Sequence, residues 1–225
     1  MMNLFKTPRS IPHNVKNDIK SIPEELANQI SHGIGWVMVL IASPFLLFLA
    51  AKSDINYAFI SVFIYCFSLL MVYTSSTLYH SAYQLSLRRK LRIFDHISIY
   101  FLIAGSYTPY ILMYLGTDKG YTVLAILWTM TFVGSVFKLF LTHKFKLAST
   151  LAYLVMGWMA IFIFEPLEKN IPLDSMQWIK IGGAFYSSGI VFYLWKSLKQ
   201  NHLIWHLFVM AGSIAHFISM YFLIS

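Results

Sequence analysis

The 225-residue chain holds a single cysteine and very little charge. With Cys66 alone, no disulfide can form within the chain, and its place inside an apolar run marks it as a small buried hydrophobe. Only 12% of the residues are Asp, Glu, Lys or Arg, where soluble domains carry roughly a quarter. That scarcity excludes an ordinary soluble globular protein, and no stretch is polar enough to form a soluble domain. Acidic residues are the rarer sign, 9 against 17 basic ones, for a net charge of +8. The basic residues sit in short loops between apolar runs, so the excess reads as a topology signal and no nucleic-acid partner is expected. Internal repeats and low-complexity tracts are missing. No cleavable leader is expected either: about 28 mostly polar residues precede the first apolar run, which is itself long enough to span a bilayer.

What the chain has in abundance is apolar surface. Hydrophobic residues make up 58% and aromatic residues 17%, and the mean hydropathy is +0.63. A span needs roughly 20 mainly apolar residues. Seven candidates follow: Gln29–Ala50, Tyr57–His80, Phe94–Leu115, Tyr121–Leu141, Ala148–Phe164, Trp178–Trp195 and His202–Ile224. The expected fold is an all-α polytopic membrane protein. Residues 1–28 form a cytoplasmic tail and residues 29–225 one bundle of seven transmembrane helices. Short loops make consecutive helices antiparallel neighbours.

Lys and Arg bias orients the bundle. Lys6, Arg9, Lys16 and Lys20 lie in the N-terminal tail; Arg88, Arg89, Lys90 and Arg92 in the second loop; Lys138, Lys144 and Lys146 in the fourth; Lys196 and Lys199 in the sixth. Together these are 13 of the 17 basic residues. The positive-inside rule then puts the N-terminus in the cytoplasm and the C-terminus outside.

This orientation brings the unusual polar residues of four helices to one depth. His80 ends the second helix in "SSTLYH", and Asp95 begins the third in "RIFDHISIY". His202 and His206 open the last helix in "NHLIWHLF", and Glu24, Glu25, Asn28 and His32 open the first in "EELANQISH". All fall in the inner leaflet. Ionisable residues in membrane helices are costly and mark functional sites. His202 and His206, at i and i+4, share a helix face, a geometry in which two imidazoles can bind one metal. A catalytic zinc takes three protein ligands and keeps one position for water, and His80 is the obvious third. Asp95 would orient or deprotonate that water, or serve as a fourth ligand. Ser76, four residues before His80, would hydrogen-bond a ligand or the water. His216 lies about 15 Å further along the last helix and is read as a packing residue. His96 is expected to face away from Asp95, while His13 and His143 fall in tail and loop. Arg88, Arg89, Lys90 and Arg92 read as topology signal, with a second role in drawing anionic headgroups to the site. Pro109, in "GSYTPY", is expected to kink the third helix and open cavity space.

The segments "EELANQISH", "SSTLYH", "FDHISIYFLIAGSYTPY", "LAYLVMGW" and "HLIWHLFVMAGSIAHF" resemble the haemolysin III branch of the progestin and adiponectin receptor family. The likeness runs in order from Glu24 to Phe217, and bacterial members are the nearest in length. It implies a zinc ion near the cytoplasmic face of seven helices, held by His80, His202 and His206. Asp95 and Ser76 would be catalytic, with Glu25 (or Glu24), Asn28 and His32 supporting the ligands. It also implies a multi-pass protein of the bacterial inner membrane whose partners are membrane lipids.

Three functions compete. One is a zinc-dependent hydrolase of a lipid amide or ester, as in the related alkaline ceramidases. A second is a non-enzymatic sensor of membrane homeostasis with a structural zinc. The third is a pore-forming cytolysin, against which stand spans that lack a polar stripe. The sequence sets neither substrate nor oligomeric state.

Overall fold

A computed structural model of the chain describes residues 22–141 and 146–225. Lys6, Arg9, His13, Lys16, Lys20, His143 and Lys144 lie outside the described residues. The described residues form helices and turns, with no strand among them. In order these are α1 (Ile22–Lys52), α2 (Ala58–Ser81), α3 (Leu85–Tyr114), α4 (Asp118–Leu141) and α5 (Lys146–Trp158). A 3-10 turn (Met159–Phe162) follows, then α6 (Phe164–Asn170), α7 (Leu173–Leu194) and α8 (Asn201–Ile224). Long apolar runs fold this way because in lipid every backbone N–H and C=O must be satisfied within the segment. Charge at the helix ends agrees with the dipole: Glu24 and Glu25 lie in the first turn of α1, and Asp118 and Lys138 open and close α4.

The helices α1, α2, α3, α4 and α8 are long and apolar enough to cross a membrane. The bent pair α5 and α6 makes a sixth candidate. The remaining helix, α7, is 22 residues long but less apolar, with Asp174, Gln177 and Lys180 in its first half. The exterior is greasy: Ile41, Phe132 and Phe140 are 73%, 71% and 79% exposed. Serines such as Ser61, Ser98, Ser175 and Ser219 are fully buried. Apolar side chains outside and polar ones within are what a lipid solvent selects, and the chain is a multi-pass membrane protein.

Sequential helices pack against each other, and α1 also packs against α8, which closes the bundle. One apolar core joins α1, α2, α3, α7 and α8 around Leu46, Tyr65, Leu69 and Met220. A second joins α3, α4 and α5 around Tyr100, Ile111, Leu127 and Met156.

Three helices differ from expectation. The first and third helices start at Ile22 and Leu85, earlier than the spans Gln29 and Phe94, because their first turns are helical and each buries one charged side chain, Glu25 and Arg88. The fifth span, expected unbroken over Ala148–Phe164, ends as α-helix at Trp158, and the chain bends by 59° into α6. Pro166 is the local cause: it has no N–H to give the carbonyl four residues back, and its ring obstructs a continuing helix. The gap is bridged from α3. Tyr107 Oη donates to the Gly157 carbonyl (2.5 Å) and accepts from the Ala160 N–H (2.9 Å). Pro109, expected to kink α3, lies within a continuous helix, and the Thr108 hydroxyl there bonds the Ala104 carbonyl (2.9 Å).

Candidate metal centre

The end of α2 and the start of α8 meet beside the first turns of α1. His80 is the penultimate residue of α2 and is buried. His202 and His206 lie one turn apart at the start of α8, where the backbone is firmly set. Gln200 takes a left-handed conformation (φ 54°) that ends the connection from α7. Asn201 Nδ2 then donates to the Phe192 and Tyr193 carbonyls, each at 3.2 Å, which ties the start of α8 to the end of α7.

The three imidazoles converge. Ring centroids stand 5.1 Å apart for His80 and His202, 5.0 Å for His80 and His206, and 4.6 Å for His202 and His206. Each offers a ring nitrogen, and these nitrogens all lie within 4.8 Å of one another. His80 Nε2 and His202 Nε2 are 3.3 Å apart. That matches the roughly 3.3 Å edge of a tetrahedron built on zinc–nitrogen bonds of about 2.0–2.1 Å. Among the described residues this is the one cluster of three or more metal-ligating side chains so arranged.

The first helix decides which nitrogen each ring turns inward. His80 Nδ1–H donates to Glu25 Oε2 at 2.7 Å, which leaves the Nε2 lone pair facing His202. His206 Nδ1 lies 3.0 Å from Ser31 Oγ and 3.3 Å from the Asn28 carbonyl. The Ser31 hydroxyl already donates to that carbonyl (2.9 Å), so its oxygen accepts from His206 Nδ1–H. Both rings thus turn Nδ1 toward α1, the arrangement by which hydrogen-bond partners orient metal-ligating histidines.

A cavity of about 720 Å³ opens from this cluster. At the histidine end it is lined by His32, Ser76, Asp95, His202 and His206, and it extends past Val209 to His216. The Ser76 hydroxyl lies beside the Asp95 carboxylate. The level of Asp95 is pinned by a chain of serines: Ser75 Oγ donates to Ser98 Oγ (2.9 Å), which donates to the Asp95 carbonyl (2.7 Å).

The other sequence-expected residues divide. Glu25, not the half-buried Glu24, reaches the site. Asn28 acts through its backbone carbonyl, while its buried amide has no partner among the described residues. His32 bonds no ligand; it stacks on His206 with centroids 3.5 Å apart, and neither ring nitrogen has a partner among the described residues. His96, expected to face away, lines the same cavity with Nδ1 3.4 Å from Lys138 Nζ, because the cavity is wide enough to meet two neighbouring helix positions. His216 packs edge-on against Tyr186. Arg88, read as a loop charge, is buried inside α3 and pairs with Glu25. Ser31 and Arg88 were thus missed. The signal for Ser31 was its position three residues beyond Asn28 on the inward face. For Arg88 it was a shared face with Arg92 and Asp95 at i, i+4 and i+7.

A family profile described as "Haemolysin-III related" matches residues 20–217. The chain belongs to the haemolysin III-related family. Similar proteins include the Hemolysin-3 of Bacillus cereus, 40% identical over 201 residues that cover 89% of this chain and 92% of that one. The Hemolysin-3 homolog of Bacillus subtilis (strain 168) is 42% identical over 202 residues, 90% of this chain and 95% of the relative. A more distant relative is the human monocyte to macrophage differentiation factor, 27% identical over 203 residues, 86% and 82% of the two chains. No solved structure matches. Every residue of the histidine cluster and its supports, from Glu25 to His206, falls inside the segment matched to the haemolysin III-related family.

Proposed function

We propose that this haemolysin III-related protein is a seven-span, zinc-binding hydrolase of a lipid amide or ester in the bacterial inner membrane. Its N-terminus is cytoplasmic and its C-terminus external. The five apolar helices, the bent pair and α7 make up the seven spans. The observation that carries the reading is the inward convergence of His80, His202 and His206, two of them oriented by α1. Neutral imidazoles are good zinc donors, and three of them leave one coordination position open. A zinc ion bound there would supply Lewis acidity toward a carbonyl oxygen and would make a water in the open position acidic.

The side chains do the rest. Asp95 takes the proton from the water that attacks the lipid carbonyl and returns it to the departing amine or alkoxide as the acyl bond breaks. Ser76 hydrogen-bonds the Asp95 carboxylate and holds it toward the histidines. The apolar wall formed by Val72, Leu102, Ile103 and Val209 takes the acyl chain and keeps bulk water out.

A second reading, a structural zinc in a membrane-homeostasis protein, is supported by the reach of the ligand set. His80 and His202 lie 122 residues apart, so a metal between them would crosslink α2 to α8. The two readings separate on one set of measurements. Purified protein should carry about one zinc per chain, and a panel of ceramide-like and other lipids should include a substrate that it hydrolyses. Zinc without turnover on any lipid favours the structural reading. Protein that retains no transition metal even after zinc is supplied sinks both.

A further inference from the structure

From the geometry we infer that Arg88 is a positioning residue for the metal centre, acting on the ligand His80 through Glu25. This inference rests on the proposal that His80, His202 and His206 bind a metal. Arg88 sits in the first turn of α3, yet it is buried. Arg88 NH2 lies 2.7 Å from Glu25 Oε1, while the other oxygen, Oε2, takes the His80 Nδ1–H at 2.7 Å. One carboxylate is therefore shared between the guanidinium and the imidazole, and its plane is set by both.

The same guanidinium reads the end of α2 directly. Arg88 NH1 donates to the Tyr79 carbonyl at 3.2 Å and the Ala82 carbonyl at 3.3 Å, and its carbon lies 4.5 Å from the centre of the Tyr79 ring. Tyr79 and Ala82 bracket His80. Those carbonyls lie at the C-terminal end of α2, where the helix dipole favours a cation. Arg88 thus grips the backbone around the ligand and the carboxylate behind it at once. A planar fork with separate N–H groups does this; a single ammonium cannot span both.

The experiment compares Arg88→Leu, Arg88→Lys, Glu25→Gln and Arg88→Leu/Glu25→Gln with the wild type in detergent. It measures zinc affinity by chelator competition, the visible absorption of the cobalt-substituted protein, and the melting temperature of the metal-free form. Losing a hydrogen-bond partner of a metal ligand typically weakens affinity about 10–100-fold. That loss is expected for Arg88→Leu and for Glu25→Gln, with an altered cobalt spectrum. Arg88→Lys should recover part of the loss. The double variant should be no worse than the weaker single one, because both act along one path. A purely structural Arg88 would lower the metal-free melting temperature and leave affinity and spectrum of the folded protein as in wild type, which overturns the inference. If Arg88→Leu does not fold, Arg88→Lys and Glu25→Gln decide alone: wild-type affinity and spectrum in both overturn it. A wild type that binds neither zinc nor cobalt overturns the metal reading and this inference with it, whereas unchanged variants of a metal-binding wild type overturn this inference alone.

Discussion

A carboxylate in a membrane helix costs about 2.5–3.5 kcal/mol on insertion scales, so Asp95 needs surroundings that recover it. It lines the same cavity as His202 and His206, with Ser76 beside it, and it is not one of the three converging groups. That position separates two roles. Were Asp95 a ligand, Asp95→Asn would shed metal. As the proton acceptor, Asp95→Asn is expected to keep the zinc and the melting temperature while turnover falls by roughly 10²–10⁴-fold. His80→Ala, His202→Ala and His206→Ala should each lose metal and activity together. Zinc content and hydrolysis measured on the same four preparations check this; turnover at the wild-type level in Asp95→Asn refutes it.

At the scale of elements, α7 and α8 lie close because glycines line their contact. A Cβ on Gly182 would collide with the His216 ring and come 3.1 Å from the Gly212 carbonyl. One on Gly189 would meet Phe208 Cβ at 2.8 Å, and one on Gly212 the Tyr186 ring at 2.9 Å. Small residues at such contacts let helices approach where lipid supplies no hydrophobic drive. Gly182→Val should therefore overpack the contact and cost about 1–3 kcal/mol, read as a lower melting temperature. The neighbouring Gly183, which has nothing within 4 Å of an added Cβ, supplies the control: Gly183→Ala should leave the melting temperature unchanged or slightly raised. Helix existence was legible in the sequence because apolar length is a strong signal, and His202 with His206 was legible because one turn separates them. The break after Trp158 was only half legible: Pro166 marks it locally, but the bridge across it comes from Tyr107, a residue 50 positions from the carbonyl it bonds. Arg88 was hidden for a related reason. The face it shares with Arg92 and Asp95 was outweighed by the run with Arg89 and Lys90, which reads as a cluster of loop charges.

For the whole molecule, the seven proposed crossings and the Lys and Arg bias predict opposite sides for the two ends. A reporter active only outside the cytoplasm should work when fused at Ser225, and one active only in the cytoplasm should work when inserted between Lys196 and Gln200. Activity of the cytoplasmic reporter at Ser225 would mean that one of the less apolar segments, α7 or the α5–α6 pair, does not cross. The sequence left that point open to test because α7 carries Asp174, Gln177 and Lys180 along with its apolar residues.

The histidine cluster also has a history in time. Ser31 and His206 are 175 residues apart, and synthesis at roughly 5–20 residues per second separates their appearance by roughly 9–35 s. Through that interval α1 waits in the membrane with half a site. Glu25 need not wait, because Arg88 and His80, which both reach its carboxylate, follow it far sooner than α8 does. A nascent chain can therefore pair Glu25 before the final helix arrives, and a chain cut short after α7 would keep that pairing while lacking His202 and His206.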